Sequence, residues 1–217
     1  METTNRLDVG LAIKGSFQIG LKNVLTILGA SVLWLITVWI PYLNIGTTIA
    51  YFTVLPTKLA KGEPFSPGEI FDAKYRENMT GFFLILGLIN TAIGFGFLLF
   101  FFPGLVLYYA WLLAPVMVIN FGVKPIDALS ESYKATYGSK WALFFSYLLL
   151  GFILFFIGLI VSLITAGFAA IATWLGALVG FILTVVFIVV SLALLVGLFA
   201  QIIKSLLIKE EAEAPVV

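Results

Sequence analysis

The stretch "KPIDALSESYKATYGSKWALF" (residues 124–144) is polar for half its length and then becomes apolar without a linker. Pro125 suits the first turn of a helix, and Gly138 suits a C-terminal stop. Between them, Ile126, Leu129 and Tyr133 fall on one helical face. The stretch therefore predicts a short amphipathic helix that lies at a membrane interface and leads directly into a spanning helix.

The composition of the whole chain supports a membrane location. Of the 217 residues, 62% are hydrophobic and 11% are charged, whereas a soluble domain has about 25% charged residues. Six apolar stretches approach the ~20 residues that cross a bilayer, and they cover residues 24–40, 43–55, 82–102, 105–119, 141–164 and 175–203. The sequence predicts an all-α integral membrane protein with six transmembrane helices, of which the second and fourth are short.

The charges predict the orientation. Three connections, at residues 41–44, 102–104 and 165–174, carry no charge, and all the Lys and Arg residues lie in the other connections and at the two ends. Because positive charge is retained on the cytoplasmic side, both termini are expected in the cytoplasm of a multi-pass protein of the plasma (inner) membrane.

An amphipathic segment precedes each odd-numbered span. In the first, Val9, Ile13 and Phe17 recur on one helical face. The second, "SPGEIFDAKYREN" (residues 66–78), has Ser66 and Glu69 spaced as a capping box. The predicted membrane-interface residues of the three segments are Val9, Ile13, Phe17, Phe71, Tyr75, Leu129 and Tyr133.

These segments recur at intervals of about sixty residues, and Pro56 and Pro115 occupy matching places in the second and fourth spans. The chain is therefore interpreted as one membrane domain built from three repeats, each an amphipathic helix followed by a hairpin. The units are residues 1–61, 62–122 and 123–208, and an acidic tail follows at 209–217.

Small residues in the last span predict close helix packing. Gly176, Gly180 and Thr184 recur every four residues, and Ala193 and Gly197 repeat the spacing further along. The partner helix of these two stripes can belong to the same chain or to a second copy.

Several chemistries are disfavoured by composition. The chain has no Cys and no His. It therefore lacks both the thiolate and the imidazole groups that commonly bind metals or act as nucleophiles and bases. The apolar stretches contain no ionisable carboxylate or amine. We expect no catalytic residue, no metal site and no cofactor, and the near-balanced charge predicts no nucleic-acid partner.

Residues 103–145, "PGLVLYYAWLLAPVMVINFGVKPIDALSESYKATYGSKWALFF", resemble the membrane domain that precedes some bacterial glycerophosphodiester phosphodiesterases, and its stand-alone six-span relatives. The similar features include Pro103, Trp111, Pro115, Ser132 and Trp141. The resemblance implies a six-span fold without an assigned chemistry. The phosphodiesterase activity of the longer relatives depends on histidines, which this chain lacks.

The sequence is compatible with two functions. The first is a non-enzymatic scaffold, membrane organiser or accessory subunit that associates with the lipid bilayer, with itself or with a membrane-protein partner. The alternative is a channel or carrier for a small neutral or amphiphilic, lipid-like solute, as a homo-oligomer or alone. For that alternative the predicted solute path includes Asn90, Pro56 and Pro115, since a polar residue and two helix kinks would have to line it.

Overall fold

The computed structural model describes residues 6–208, and this part of the chain is helical without a strand. The predicted tail, 209–217, lies outside the described residues. The helices are α1 (Val9–Lys22), α2 (Val24–Thr37), α3 (Pro41–Ile49), α4 (Leu55–Lys61), α5 (Lys74–Glu77), α6 (Met79–Leu99), α7 (Phe101–Ala110), α8 (Ala114–Asn120), α9 (Pro125–Ala135), α10 (Lys140–Ile171) and α11 (Thr173–Ile203).

Three tighter or wider helical turns adjoin these helices. A π-helical turn, Ala50–Val54, joins α3 to α4, and a second one, Lys204–Ile208, continues α11. A 3₁₀ turn, Pro67–Phe71, lies between α4 and α5.

Four helical segments within the described residues are long and apolar enough to cross a membrane. They are Met79–Leu99, Phe101–Asn120, Lys140–Ile171 and Thr173–Ile208. A fifth is added if α1 and α2, which meet at an angle of 75°, are counted as one bent span. The prediction of an all-helical membrane protein is therefore confirmed at this level.

The predicted second span is not among these segments. Residues 41–61 form α3, the π turn and α4 without interruption, but Asn44 and several threonines lower their mean hydropathy. Most of this helix is buried inside the protein. Its threonine hydroxyls donate to carbonyls one turn earlier, as Thr47 does to Leu43, Thr53 to Ile49 and Thr57 to Thr53, which removes most of the cost of burying them.

Two antiparallel pairs, α6 with α7 and α10 with α11, each turn at one extended residue. These residues are Phe100 (φ −164°, ψ 152°) and Ala172 (φ −155°, ψ 129°). The α6–α7 turn is tight because Gly96 and Gly104 flank it: a Cβ on Gly96 would lie 2.9 Å from the Cα of Gly104. The ten-residue connection predicted at 165–174 is wrong, since residues up to Ile171 continue α10.

The close contact between α1 and α11 also depends on small residues. A Cβ on Gly197 would lie 2.4 Å from the carbonyl oxygen of Ser16, and one on Gly20 would lie 2.3 Å from that of Ala193. The Ser16 hydroxyl donates to the carbonyl of Leu194 across the same contact at 2.7 Å. The backbones of α1 and α11 therefore pack without intervening side chains, as small residues permit in membrane helices.

The distal part of the α10–α11 pair has little contact with the rest of the described protein. We call residues 151–192 the arm. Gly176 is the only buried residue in the arm, and it packs against Ala169 within the same hairpin. Each leg of about 20 residues is about 30 Å long at the rise of an α-helix, which matches the hydrocarbon thickness of a bilayer.

The second amphipathic segment departs from its prediction. In place of one helix from Ser66, the structure has the 3₁₀ turn followed by α5, and Ser66 makes no capping hydrogen bond. Glu69, the expected partner of Ser66, instead accepts hydrogen bonds from Lys58 at 2.5 Å and from the Tyr75 hydroxyl at 2.8 Å. A tertiary ion pair has replaced the local capping box.

The third amphipathic segment is the one predicted most accurately. α9 begins at Pro125, and Gly138 in the turn before α10 has a φ of +75°, a conformation that glycine adopts without strain.

Candidate binding cavity

An apolar cavity of about 460 Å³ lies between α3 with its π turn, α6, α8, α10 and α11. Its volume falls within the ~300–1,000 Å³ of pockets that hold small molecules. The cavity is lined by residues of α3 and the π turn, of α6, of α8 and the segment before it, and of α10 and α11. They are Thr48, Phe52, Thr53, Phe82, Leu86, Leu112, Pro115, Val116, Tyr147 and Phe199.

One wall is shaped by the break between α7 and α8. Pro115 has no N–H group, so the helix cannot continue regularly through residues 111–113. The break leaves the carbonyl of Ala110 and the N–H of Leu113 without partners in a helix. The Ser132 hydroxyl of α9 donates to the carbonyl of Ala110 at 2.8 Å and accepts from the N–H of Leu113 at 3.3 Å.

Another part of the wall is shaped by the π turn. The N–H of Leu55 donates to the carbonyl of Ala50, five residues earlier, and Pro56 follows directly without an N–H group. The carbonyl of Thr53 accepts from the Thr57 hydroxyl at 2.7 Å and from the Asn120 side-chain amide at 3.1 Å. Asn120 of α8 thereby joins the two irregular segments.

Aromatic packing supports the π turn from behind. The rings of Trp34 and Tyr51 stack with centroids 5.4 Å apart, and Phe52 meets Trp34 edge-on at 5.3 Å. The Trp34 indole also donates to the Thr48 hydroxyl at 3.0 Å. These contacts fix Phe52 and Thr48 in the cavity wall.

The polar groups of the lining are few. Thr48 donates to the Asn44 side chain, and Thr53 donates to the carbonyl of Ile49. The Tyr147 hydroxyl has no hydrogen-bond partner among residues 6–208. Because the lining carries no charged side chain, the cavity suits an apolar or amphiphilic molecule with a hydroxyl or carbonyl group, and it does not suit an ion.

The structure brings only one of the three predicted path residues to this cavity. Pro115 lines it, whereas Pro56 is buried in α4 outside the lining and Asn90 is exposed on α6. No sequence pattern considered above points to Thr48, Thr53 or Tyr147. Threonines spaced four to six residues apart in residues 47–57 are the signal that could have indicated a buried face of the second span.

The small-residue stripes of α11 contact this same chain. A Cβ on Gly180 would lie 2.6 Å from the side chain of Thr165 in α10, and Gly176 packs on α10 as described above. Ala193 and Gly197 pack on α1. Thr184 is exposed on the arm.

The predicted interface residues occupy different environments. On α1 the buried positions are Ala12, Gly15, Ser16 and Gly20, because they contact α11, while Val9, Ile13 and Phe17 are half-buried. Tyr75 is buried and hydrogen-bonded to Glu69, so it does not face an interface. Phe71 and Tyr133 are exposed, and Leu129 is half-buried.

In residues 6–208, no three acidic side chains lie together as metal ligands would. Comparison of the chain with protein-family models, with curated proteins and with solved structures gives no match in any of the three.

Proposed function

We propose that this protein is a non-enzymatic multi-pass membrane protein that binds a neutral, amphiphilic, lipid-like molecule in the cavity between its three hairpins and acts as a carrier for it. The observation that carries this proposal is the cavity itself, an uncharged space of about 460 Å³ bounded by two irregular helix segments. Lipid-like solutes are the class that an apolar lining with a few hydroxyl groups accommodates.

The cavity belongs to a fold that we propose crosses the membrane six times, with both termini in the cytoplasm. Residues 41–61 would supply the additional span, since a helix of 21 residues is about 31 Å long. The charge-free connections and the even number of spans support this orientation. The threefold repeat and the resemblance to the phosphodiesterase-associated membrane domain remain predictions from the sequence.

The position of the cavity supports a carrier more than a closed storage site. Phe52, in its lining, is 47% exposed, so the space opens at the surface between hairpins. In a bilayer such an opening would face lipid, and a chain could enter sideways. The helix breaks beside it are places where hairpins can move relative to each other.

This proposal is tested with a substitution that fills the cavity. Leu86→Trp places a large ring in the lining, and Leu84→Trp on the exposed surface of the same helix is the matched control. The unchanged protein and the two variants are reconstituted in nanodiscs with a photoactivatable diacylglycerol, and crosslinks are mapped by mass spectrometry. We expect crosslinks at residues 112–116 and 147 in the unchanged protein and in Leu84→Trp, and at least a tenfold loss in Leu86→Trp. Equal crosslinking in all three proteins would refute binding in the cavity.

The second candidate, a scaffold or accessory subunit, is favoured by the arm. Its large side chains, such as Phe155 and Phe181, are 65% and 70% exposed, so helices of a partner could pack along it. A photocrosslinker at these two positions in native membranes tests this function. An adduct of one defined protein mass supports the scaffold, and adducts with lipid alone count against it.

A further inference from the structure

A second pocket, of about 530 Å³, lies where the bend between α1 and α2, the end of α4 and the end of α11 come together. Its polar lining consists of Gln18, Lys22, Asn23, Lys61, Glu63 and Lys204. None of these residues lines the cavity described above, so an inference from this pocket does not rest on the proposed function.

The pocket concentrates positive charge. Lys22, Lys61 and Lys204 come from three separate elements, and Glu63 is the one acidic residue in the described lining. The two ion pairs found within residues 6–208 use other lysines, Lys58 and Lys74. Each lysine lies near the C-terminal end of a helical segment, where the helix dipole favours a cation. That preference explains each lysine separately, and within residues 6–208 no carboxylate forms an ion pair with any of the three.

Apolar surface adjoins this charge. Ile19, Leu59 and Ile208 form part of the pocket wall. Next to the pocket, on either side of the bend, Leu21 and Leu25 are 45% and 79% exposed. A soluble phosphate would satisfy the lysines and leave these leucines exposed, whereas a phospholipid satisfies both kinds of surface.

We propose that this pocket binds the phosphate headgroup of an anionic phospholipid, with Lys22, Lys61 and Lys204 around the phosphate and the acyl chains over Leu21 and Leu25. One basic residue near an anionic lipid strengthens binding about fivefold. Three lysines held together therefore select anionic over zwitterionic lipid, and each contributes about that factor.

The experiment uses the full chain in a neutral detergent and measures lipid dissociation constants by native mass spectrometry. The probes are short-chain phosphatidylglycerol, short-chain phosphatidylcholine and inorganic phosphate. The variants are Lys22→Gln, Lys61→Gln and Lys204→Gln, singly and combined. The charge-matched control combines Lys14→Gln, Lys124→Gln and Lys134→Gln, three exposed lysines outside the pocket.

We expect phosphatidylglycerol to bind at least tenfold more tightly than phosphatidylcholine. Each single pocket variant should lose about fivefold for phosphatidylglycerol, and the control should stay within twofold of the unchanged protein. Inorganic phosphate at millimolar concentration should not displace the lipid. Equal affinity for both lipids, an equal loss in the control, or displacement by phosphate would each overturn the proposal. The cavity variant Leu86→Trp should bind phosphatidylglycerol normally, which separates this site from the proposed carrier site.

Discussion

Gly197 lies at a contact between α11 and α1 that has no room for a side chain. A Cβ there would meet backbone atoms, the carbonyl oxygen of Ser16 at 2.4 Å and the nitrogen of Gly20 at 2.7 Å. Because backbone cannot move aside without separating the helices, we expect Gly197→Ala to lower the free energy of unfolding by about 1–3 kcal/mol.

The matched control is Gly167→Ala, since a Cβ at Gly167 in α10 meets no atom within 4 Å. It should be neutral or stabilising by up to about 1 kcal/mol, because alanine is the better helix former. Thermal unfolding of both variants in the same nanodiscs measures the difference. Equal midpoints for the two variants would contradict the close α1–α11 contact.

Glu69 is the residue through which pH should affect the structure. Its partial burial acts to raise the pKa of its carboxyl, but hydrogen bonds from Lys58 and Tyr75 outweigh the burial, and the pKa lies below the ordinary value. A carboxyl whose pKa is lowered by folding stabilises the protein above its unfolded pKa, and this contribution is lost as the pH falls through the folded pKa. The midpoint temperature of thermal unfolding should therefore decrease as the pH is lowered from about 5 to about 3.

Glu69→Gln should remove most of this dependence and lower the unfolding free energy at pH 7 by about 1–3 kcal/mol, because Lys58 loses its partly buried partner. Glu77→Gln, at an exposed position outside the two ion pairs, is the control. Midpoints measured from pH 3 to 7 decide the matter. An unchanged acid transition in Glu69→Gln would show that other groups cause it.

At the scale of single elements, the break between α7 and α8 depends on α9. Ser132 bonds both backbone groups that the break leaves unpaired, and Thr136 adds a weaker hydrogen bond to the carbonyl of Ala110 at 3.3 Å. Ser132→Ala should cost about 1–3 kcal/mol of unfolding free energy, since a buried donor and acceptor lose their partner.

Ser130→Ala, on the exposed face of the same helix, is the control for helix propensity and should change stability by less than about 0.5 kcal/mol. Amide hydrogen exchange of the Leu113 N–H should also become faster in Ser132→Ala alone. Unchanged protection of Leu113 would mean that the Ser132 hydroxyl does not support the break.

The elements that could be predicted from the sequence are those fixed by local chemistry. Pro125 and Gly138 set the limits of the third amphipathic segment because one suits a first turn and the other a positive φ. The segment after Ser66 could not be predicted in the same way, because the partner of Glu69 is Lys58, eleven residues earlier in α4. A capping pattern contains no information about such a tertiary contact.

The residues of the cavity likewise include one that the sequence indicated and others that it did not. Pro115 indicated a helix break from the sequence, and the structure places it in the lining. Tyr147 gave no separate signal within its apolar run, and Asn90, a polar residue in a span, is exposed. Which face of a spanning helix contacts protein depends on tertiary packing, because both faces of these helices are apolar.

For the whole molecule, composition alone was sufficient to predict a helical membrane protein, and the structure has the long apolar helices that this requires. The number of spans could not be settled by hydropathy. Residues 41–61 are polar enough to fall below the usual threshold, yet their threonines are satisfied within the helix and their surface is buried by neighbours. Whether they cross the membrane is the claim on which the proposed hairpins and their cavity depend.

Cysteine labelling tests that claim directly, since the chain contains no Cys. Single cysteines replace Trp39, Phe100 or Thr173 at the hairpin turns, and Glu63 or Glu131 in the charged connections, all exposed. Vesicles of either orientation are treated with a membrane-impermeant maleimide. Six spans predict that positions 39, 100 and 173 react only from the outer side, and 63 and 131 only from the inner side. Reaction of position 39 from the same side as 63 would contradict the account, because α2 and residues 41–61 would then enter and leave the membrane on one face.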